Sequence, residues 1–94
     1  MSKYDDNVEK KKNNRLENCK SRSDAIYTIM KILGYTSIGK FACDIDFDKS
    51  NLSKIIRNEK DIITFIQADK IIYQIYPSDE ELKTFLYLCY KELI

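Results

Sequence analysis

Apolar residues recur at helical spacing in five stretches of the chain, with polar runs between them. In "SDAIYTIMKILGY", Ile26, Ile29, Met30 and Leu33 fall three or four apart and share one side of a helix. Ser23 is the expected N-cap, because its hydroxyl can accept from an amide the helix leaves unpaired, and Asp24 puts negative charge in the first turn. Gly34 stands where a left-handed residue would end that helix. A short second helix is expected over "TSIGKFACDI", capped by Thr36 or Ser37, with Ile38, Phe41, Ala42 and Ile45 on one face. "DFD" interrupts it. "KSNLSKIIRN" then reads as a third helix, with Asp48 as N-cap and Leu52, Ile55 and Ile56 as its apolar side.

The fourth stretch, "TFIQADKIIYQIY", admits two readings. It is either a helix capped by Thr64, with Phe65, Ala68, Ile71, Ile72 and Ile75 turned inward, or a hairpin. The β-branched and aromatic residues from Asp61 to Tyr76 permit the hairpin, which would be the wing of a winged-helix domain. The fifth, "SDEELKTFLYLCYKELI", opens with Ser78 and Glu81 as a capping box and carries Leu82, Phe85, Leu86, Cys89 and Leu93 as its stripe. Tyr87, Leu88 and Tyr90 widen that stripe beyond what one small core needs, which predicts a second covered surface, such as that of another copy of the chain. Residues 1–22 hold too few apolar residues to make a face. They read as a basic N-terminal arm or a frayed helix in front of one all-α, five-helix domain over residues 23–94.

Composition narrows the functional classes. With 94 residues, 44 % hydrophobic and 33 % charged, the chain suits one small globular domain. No apolar run approaches the ~20 residues that cross a bilayer, and the N-terminus has no apolar core after its charges, so neither a membrane span nor a secretory signal is expected. Cys19, Cys43 and Cys89 are odd in number and far apart, which suits a reducing cytoplasm. There is no histidine, no C-x-x-C and no glycine-rich phosphate loop. The commonest general acid–base, the usual zinc sites and nucleotide cradles are therefore missing, and neither enzymatic activity nor a cofactor or metal is expected. The net charge of +1 is uneven. Residues 1–22 hold seven basic and four acidic side chains (+3), and residues 23–94 hold nine and eleven (−2).

The aspartates of "FACDIDFDKSNLSKIIR" sit at alternate positions, as at the start of a calcium loop. Such a loop needs a glycine sixth and a bidentate glutamate twelfth; counted from Asp44 those places hold Lys49 and Ile55, so the cage fails. Two helices crossing at a tight turn fit better. Ala42 supplies the small residue at the crossing, Ile45 and Phe47 the apolar anchors around the turn, and Leu52 and Ile55 the inward side of the next helix. Asp46 would take the turn, Asp48 would cap the third helix, and Asp44 would be solvated. Lys49, Ser50, Ser53, Lys54 and Arg57 are left facing outward, and such a helix fits the major groove.

Residues 38–57, "IGKFACDIDFDKSNLSKIIR", resemble the helix-turn-helix of the lambda-repressor-like group, which includes Cro, the phage repressors and Xre-type regulators. The flanking phrases "LGY", "IIRNEK" and "IIYQIYPSDEEL" keep the order of that group, so the resemblance spans roughly Asp24 to Leu82. It implies a sequence-specific regulator that binds double-stranded DNA. Lys49, Ser50 and Lys54 would meet base edges, with Asn51 and Ser53 between them, and Arg57 and Lys60 would meet the backbone. Arginine and lysine favour guanine, which suggests a G-containing half-site. Two positions depart from the pattern. Asp46 replaces the usual turn glycine, and Ile38 replaces a phosphate-contacting glutamine, which shifts that contact to Thr36, Ser37 or the helix N-terminus. Lys10, Lys11 and Lys12 are either an arm along the phosphate backbone or a solubilising tail. The last helix either closes the monomer's own core or, as the resemblance implies, pairs with its symmetry mate in a homodimer that sets two recognition helices about 34 Å apart. The alternative function is the same fold used on a protein partner, as an antirepressor, an antitoxin or an inhibitor of a nucleic-acid enzyme. Asp48 beside the polar face and the near-zero net charge permit it.

Overall fold

Helix α1 (Arg22–Leu33) is capped by Ser21, whose hydroxyl accepts from the Asp24 amide at 3.0 Å. The start is two residues earlier than the sequence suggested. It places Asp24 where its carboxylate accepts from the Lys20 amide at 3.2 Å, and it turns Ser23 to donate instead to the carbonyl of Ile56. Gly34 ends the helix at φ 87°, with the Gly34 and Tyr35 amides bonded back to Lys31 and Met30. Ala25, Ile26, Ile29 and Met30 are buried; Leu33 was expected in the same stripe but lies at the helix end and is exposed.

The computed structural model describes residues 14–58 and 63–91, and among them there are five α-helices and no strand. Helix α2 (Ile38–Asp44) is capped by Ser37, and α3 (Lys49–Ile56) by Asp48. Helix α4 (Phe65–Ile72) opens with a capping box between Thr64 and Gln67 and runs into a 3₁₀ turn (Tyr73–Ile75). Residues 63–76 are therefore helix and connection, and no wing forms there. Helix α5 (Asp79–Tyr90) opens with the expected capping box of Ser78 and Glu81. No helix among the described residues is long and apolar enough to cross a membrane.

α1 is the central element and packs against α3, α4 and α5; α2 packs on α3, and α4 on α5. The core joins the inward sides of all five to Leu16, Ile63 and Ile75. Phe65, expected inside, is 68 % exposed. It is the first residue of α4, beyond the core, and its ring leans on Tyr90 at 5.0 Å. Cys89 is buried, and burial pushes its thiol up to about 12 against the lowering charge of Arg22.

Residues 14–22 are not the free arm or frayed helix the sequence suggested. Leu16 is fully buried, and Arg15 is pinned to α5. The Arg15 guanidinium donates to both Glu81 carboxylate oxygens, at 2.6 and 2.9 Å, and to the Ile75 carbonyl at 3.0 Å. The Arg15 amide also donates to Glu81 at 2.8 Å, and the Asn14 side chain donates to Thr84 at 3.2 Å. A buried leucine, an ion pair and these hydrogen bonds hold a segment that has no apolar periodicity of its own.

Candidate nucleic-acid interface

The four residues between α2 and α3 reverse the chain by a defined set of bonds. Asp46 takes the left-handed conformation at φ 57°, as expected for the turn position. Its amide bonds to the Cys43 carbonyl at 3.2 Å, and the Phe47 amide reaches back to Ala42 at 2.8 Å. This pair closes α2 as a Schellman end, and Phe47 packs on the core beside it. Ala42 is 1 % exposed at the α2–α3 contact, where a larger side chain would push the helices apart. From the far side Lys70 of α4 donates its ammonium to the Asp46 carbonyl at 2.9 Å.

α3 is thereby held with its apolar side inward. Leu52, Ile55 and Ile56 are buried, each contributing about 1.5–3 kcal/mol, an upper figure because a real unfolded chain already buries part of them. Lys49, Ser50, Lys54 and Arg57 are exposed, and Asn51 and Ser53 are half-buried. The spacing of residues 49, 50, 53, 54 and 57 puts them on one face of the rod. Lys49 crosses toward α2: a Cβ placed on Gly39 would stand 3.3 Å from the Lys49 Cε. Thr36, Ser37, Lys49 and Ser53 all border one open cleft of about 460 Å³, which Lys31 and Tyr35 also line. So the structure brings together Thr36, Ser37, Lys49 and Ser53, with Ser50, Asn51, Lys54 and Arg57 continuing along α3. Lys10, Lys11, Lys12 and Lys60 lie outside the described residues.

The Ser37 hydroxyl accepts from the Lys40 amide at 3.2 Å, an acceptor role that leaves its own O–H able to donate. Asp48 accepts from the Asn51 amide at 2.9 Å and stands at the N-terminus of α3. Asp44 is not merely solvated. It accepts from the Tyr35 hydroxyl at 2.6 Å and from Lys40 at 3.3 Å. The Tyr35 bond, aided by Lys40, holds its carboxyl below the usual range, and the same bond raises the tyrosine. The three aspartates thus serve a side-chain bond, a turn and a cap. Among the described residues no group of three histidines, cysteines or acids could hold a metal.

One contact of this face had no sequence signal. Arg22, the first residue of α1, is 7 % exposed and donates to the Ile55 carbonyl at 3.2 Å through Nε and 3.0 Å through Nη2. Its partner lies 33 positions away, beyond any local pattern. No protein-family model, curated protein or solved structure matches the chain.

Proposed function

We propose that the protein is a sequence-specific DNA-binding regulator of the lambda-repressor-like helix-turn-helix type, as in phage or mobile-element repressors, with α3 lying in the major groove. One observation carries this reading. α3 is anchored at the turn, packed on its apolar side, and exposes Lys49, Ser50, Lys54 and Arg57 along one face. That face offers donors to guanine O6 and N7. Thr36 and Ser37 border the same cleft as Lys49 and Ser53, and on this reading their hydroxyls take the phosphate contact.

A homodimer through α5 suits the exposed Tyr87 on that helix, and two copies would read a palindrome with half-sites about 34 Å apart. The test is selection of bound duplexes from a random pool, repeated over a salt series. Enrichment of a palindromic, G-containing site with steep salt dependence is expected. A pool that stays random at every salt concentration would remove the reading.

A second reading rests on a different surface. Phe65, Tyr73, Tyr76 and Tyr87 are 50–91 % exposed on α4, the 3₁₀ turn and the residue that caps it, and α5. Exposed aromatics of this kind are common anchors in protein interfaces. They favour a protein partner, alongside DNA or in place of it. A protein that co-purifies stoichiometrically and is released by Tyr76→Ala, with no DNA enrichment, would favour this reading over the first.

A further inference from the structure

We propose that Arg22 and Asn58 are positioning residues that set how α3 presents its polar face, without touching DNA; this rests on the DNA-binding reading above. Arg22 donates to the Ile55 carbonyl, and its Nη2 also reaches the Asn58 side-chain oxygen at 3.3 Å. The next residue, Ser23, donates to the Ile56 carbonyl. Consecutive residues of α1 therefore hold consecutive carbonyls at the C-terminal end of α3, where the helix dipole welcomes a cation.

A buried cation is a poor device for stability alone. An apolar side chain of similar volume fills the same space without desolvating a charge. What the guanidinium adds is direction, because its fork fixes the angle at which the carbonyl end of α3 meets α1.

Asn58 points the same way. It is left-handed at φ 58°, where glycine would fit at lower cost. Asparagine supplies the acceptor that glycine lacks. The other end of α3 is held by the Asp46 turn and the Asp48 cap, so both ends of the rod are tied to the rest of the fold.

Asn58→Gly is the discriminating variant, since glycine takes the same left-handed backbone conformation and lacks the side-chain acceptor that Arg22 meets. Arg22→Met removes the whole fork. Each is compared with wild type for the ratio of affinities between the selected site and a scrambled duplex, for salt slope, and for hydrogen exchange at the Arg57 and Asn58 amides.

We expect Asn58→Gly to fold normally, to exchange faster at those amides, and to lose discrimination about threefold to tenfold. Arg22→Met should lose about tenfold or more. The salt slope should not move in either, because no phosphate contact is lost. If Arg22→Met fails to fold, Asn58→Gly decides alone.

Discrimination unchanged in Asn58→Gly, while wild type discriminates, overturns the positioning role and leaves the DNA reading intact. A flatter salt slope also overturns it, because the residues would then be phosphate contacts. A wild type that does not discriminate at all removes the DNA reading and this role with it.

Discussion

Replacing Arg15 with Met takes away the cation that Glu81 faces and leaves a carboxylate that is 1 % exposed. Two guanidinium bonds to that carboxylate and one to the Ile75 carbonyl disappear; the amides of Arg15 and Ser78 still donate to it, at 2.8 and 2.9 Å. Burial pushes the Glu81 carboxyl up, but the Arg15 bonds, the Ser78 amide and the Arg15 charge outweigh it and bring it from 4.5 down to about 2. The folded value lies below the unfolded one. The pair therefore contributes stability that is complete above about pH 4.5 and is lost as pH falls toward about 2. A shift of that size corresponds to about 3 kcal/mol at neutral pH. Arg15 is 40 % exposed, so solvent screening trims the expected loss to about 2–3 kcal/mol. In a domain of this size that lowers Tm by roughly 10–20 °C. Urea unfolding followed by far-ultraviolet circular dichroism, stepped from pH 7 to pH 2, measures both effects. Arg15→Met should be weaker at pH 7 and should converge on wild type in acid. If the two proteins unfold at the same urea concentration at pH 7, or lose stability in parallel below pH 5, the pair does not hold residues 14–22 to α5.

Asp46→Gly should raise stability by about 0.5–1 kcal/mol in the same unfolding assay, because glycine takes φ 57° without the penalty aspartate bears. A destabilised variant would mean the aspartate side chain has a further structural task. Lys54→Ala should relax base preference and cost roughly 1–3 kcal/mol of specific binding, measured on the selected site; a variant that binds as well as wild type would show that the α3 face is misassigned. Deleting residues 2–12 should weaken binding to all sequences and reduce the salt slope. The cut must stop short of Asn14 and Arg15, which are tied to α5, and an unchanged slope would make the leader a plain tail.

What could be read from the sequence was local. Gly34, Ser37, Asp46, Asp48, Thr64 and the Ser78–Glu81 box all act within about four residues, and their chemistry is visible in any short window. The inward side of α3 and its exposed polar face follow from a 3.6-residue period in the same way. The contacts that could not be read are those between distant positions. Glu81 was recognised for its capping role, yet its second partner, Arg15, sits 66 positions earlier. Arg22 carries no mark distinguishing it from exposed Lys20 two positions earlier; only the packing of α1 on α3 buries it. The Ser23 hydroxyl suits either a cap or a cross-helix donor, and the placement of α3 decided for the donor. Phe65 fits the helical stripe by spacing, but a residue at the first position of a helix can lie past the edge of the core it points toward.

The buried thiol of Cys89 makes the chain its own reporter of opening. It lies on α5, which packs against α1, and holds its proton to about 12, whereas Cys43 is exposed. A thiol-reactive dye added to the intact protein therefore labels exposed Cys43 at once and Cys89 at the pace at which α5 lifts away from α1, with half-buried Cys19 as a third, separate site. The lag of the Cys89 addition behind that at Cys43, read by peptide mass spectrometry that separates both from Cys19, times the breathing of the last helix without any engineered probe.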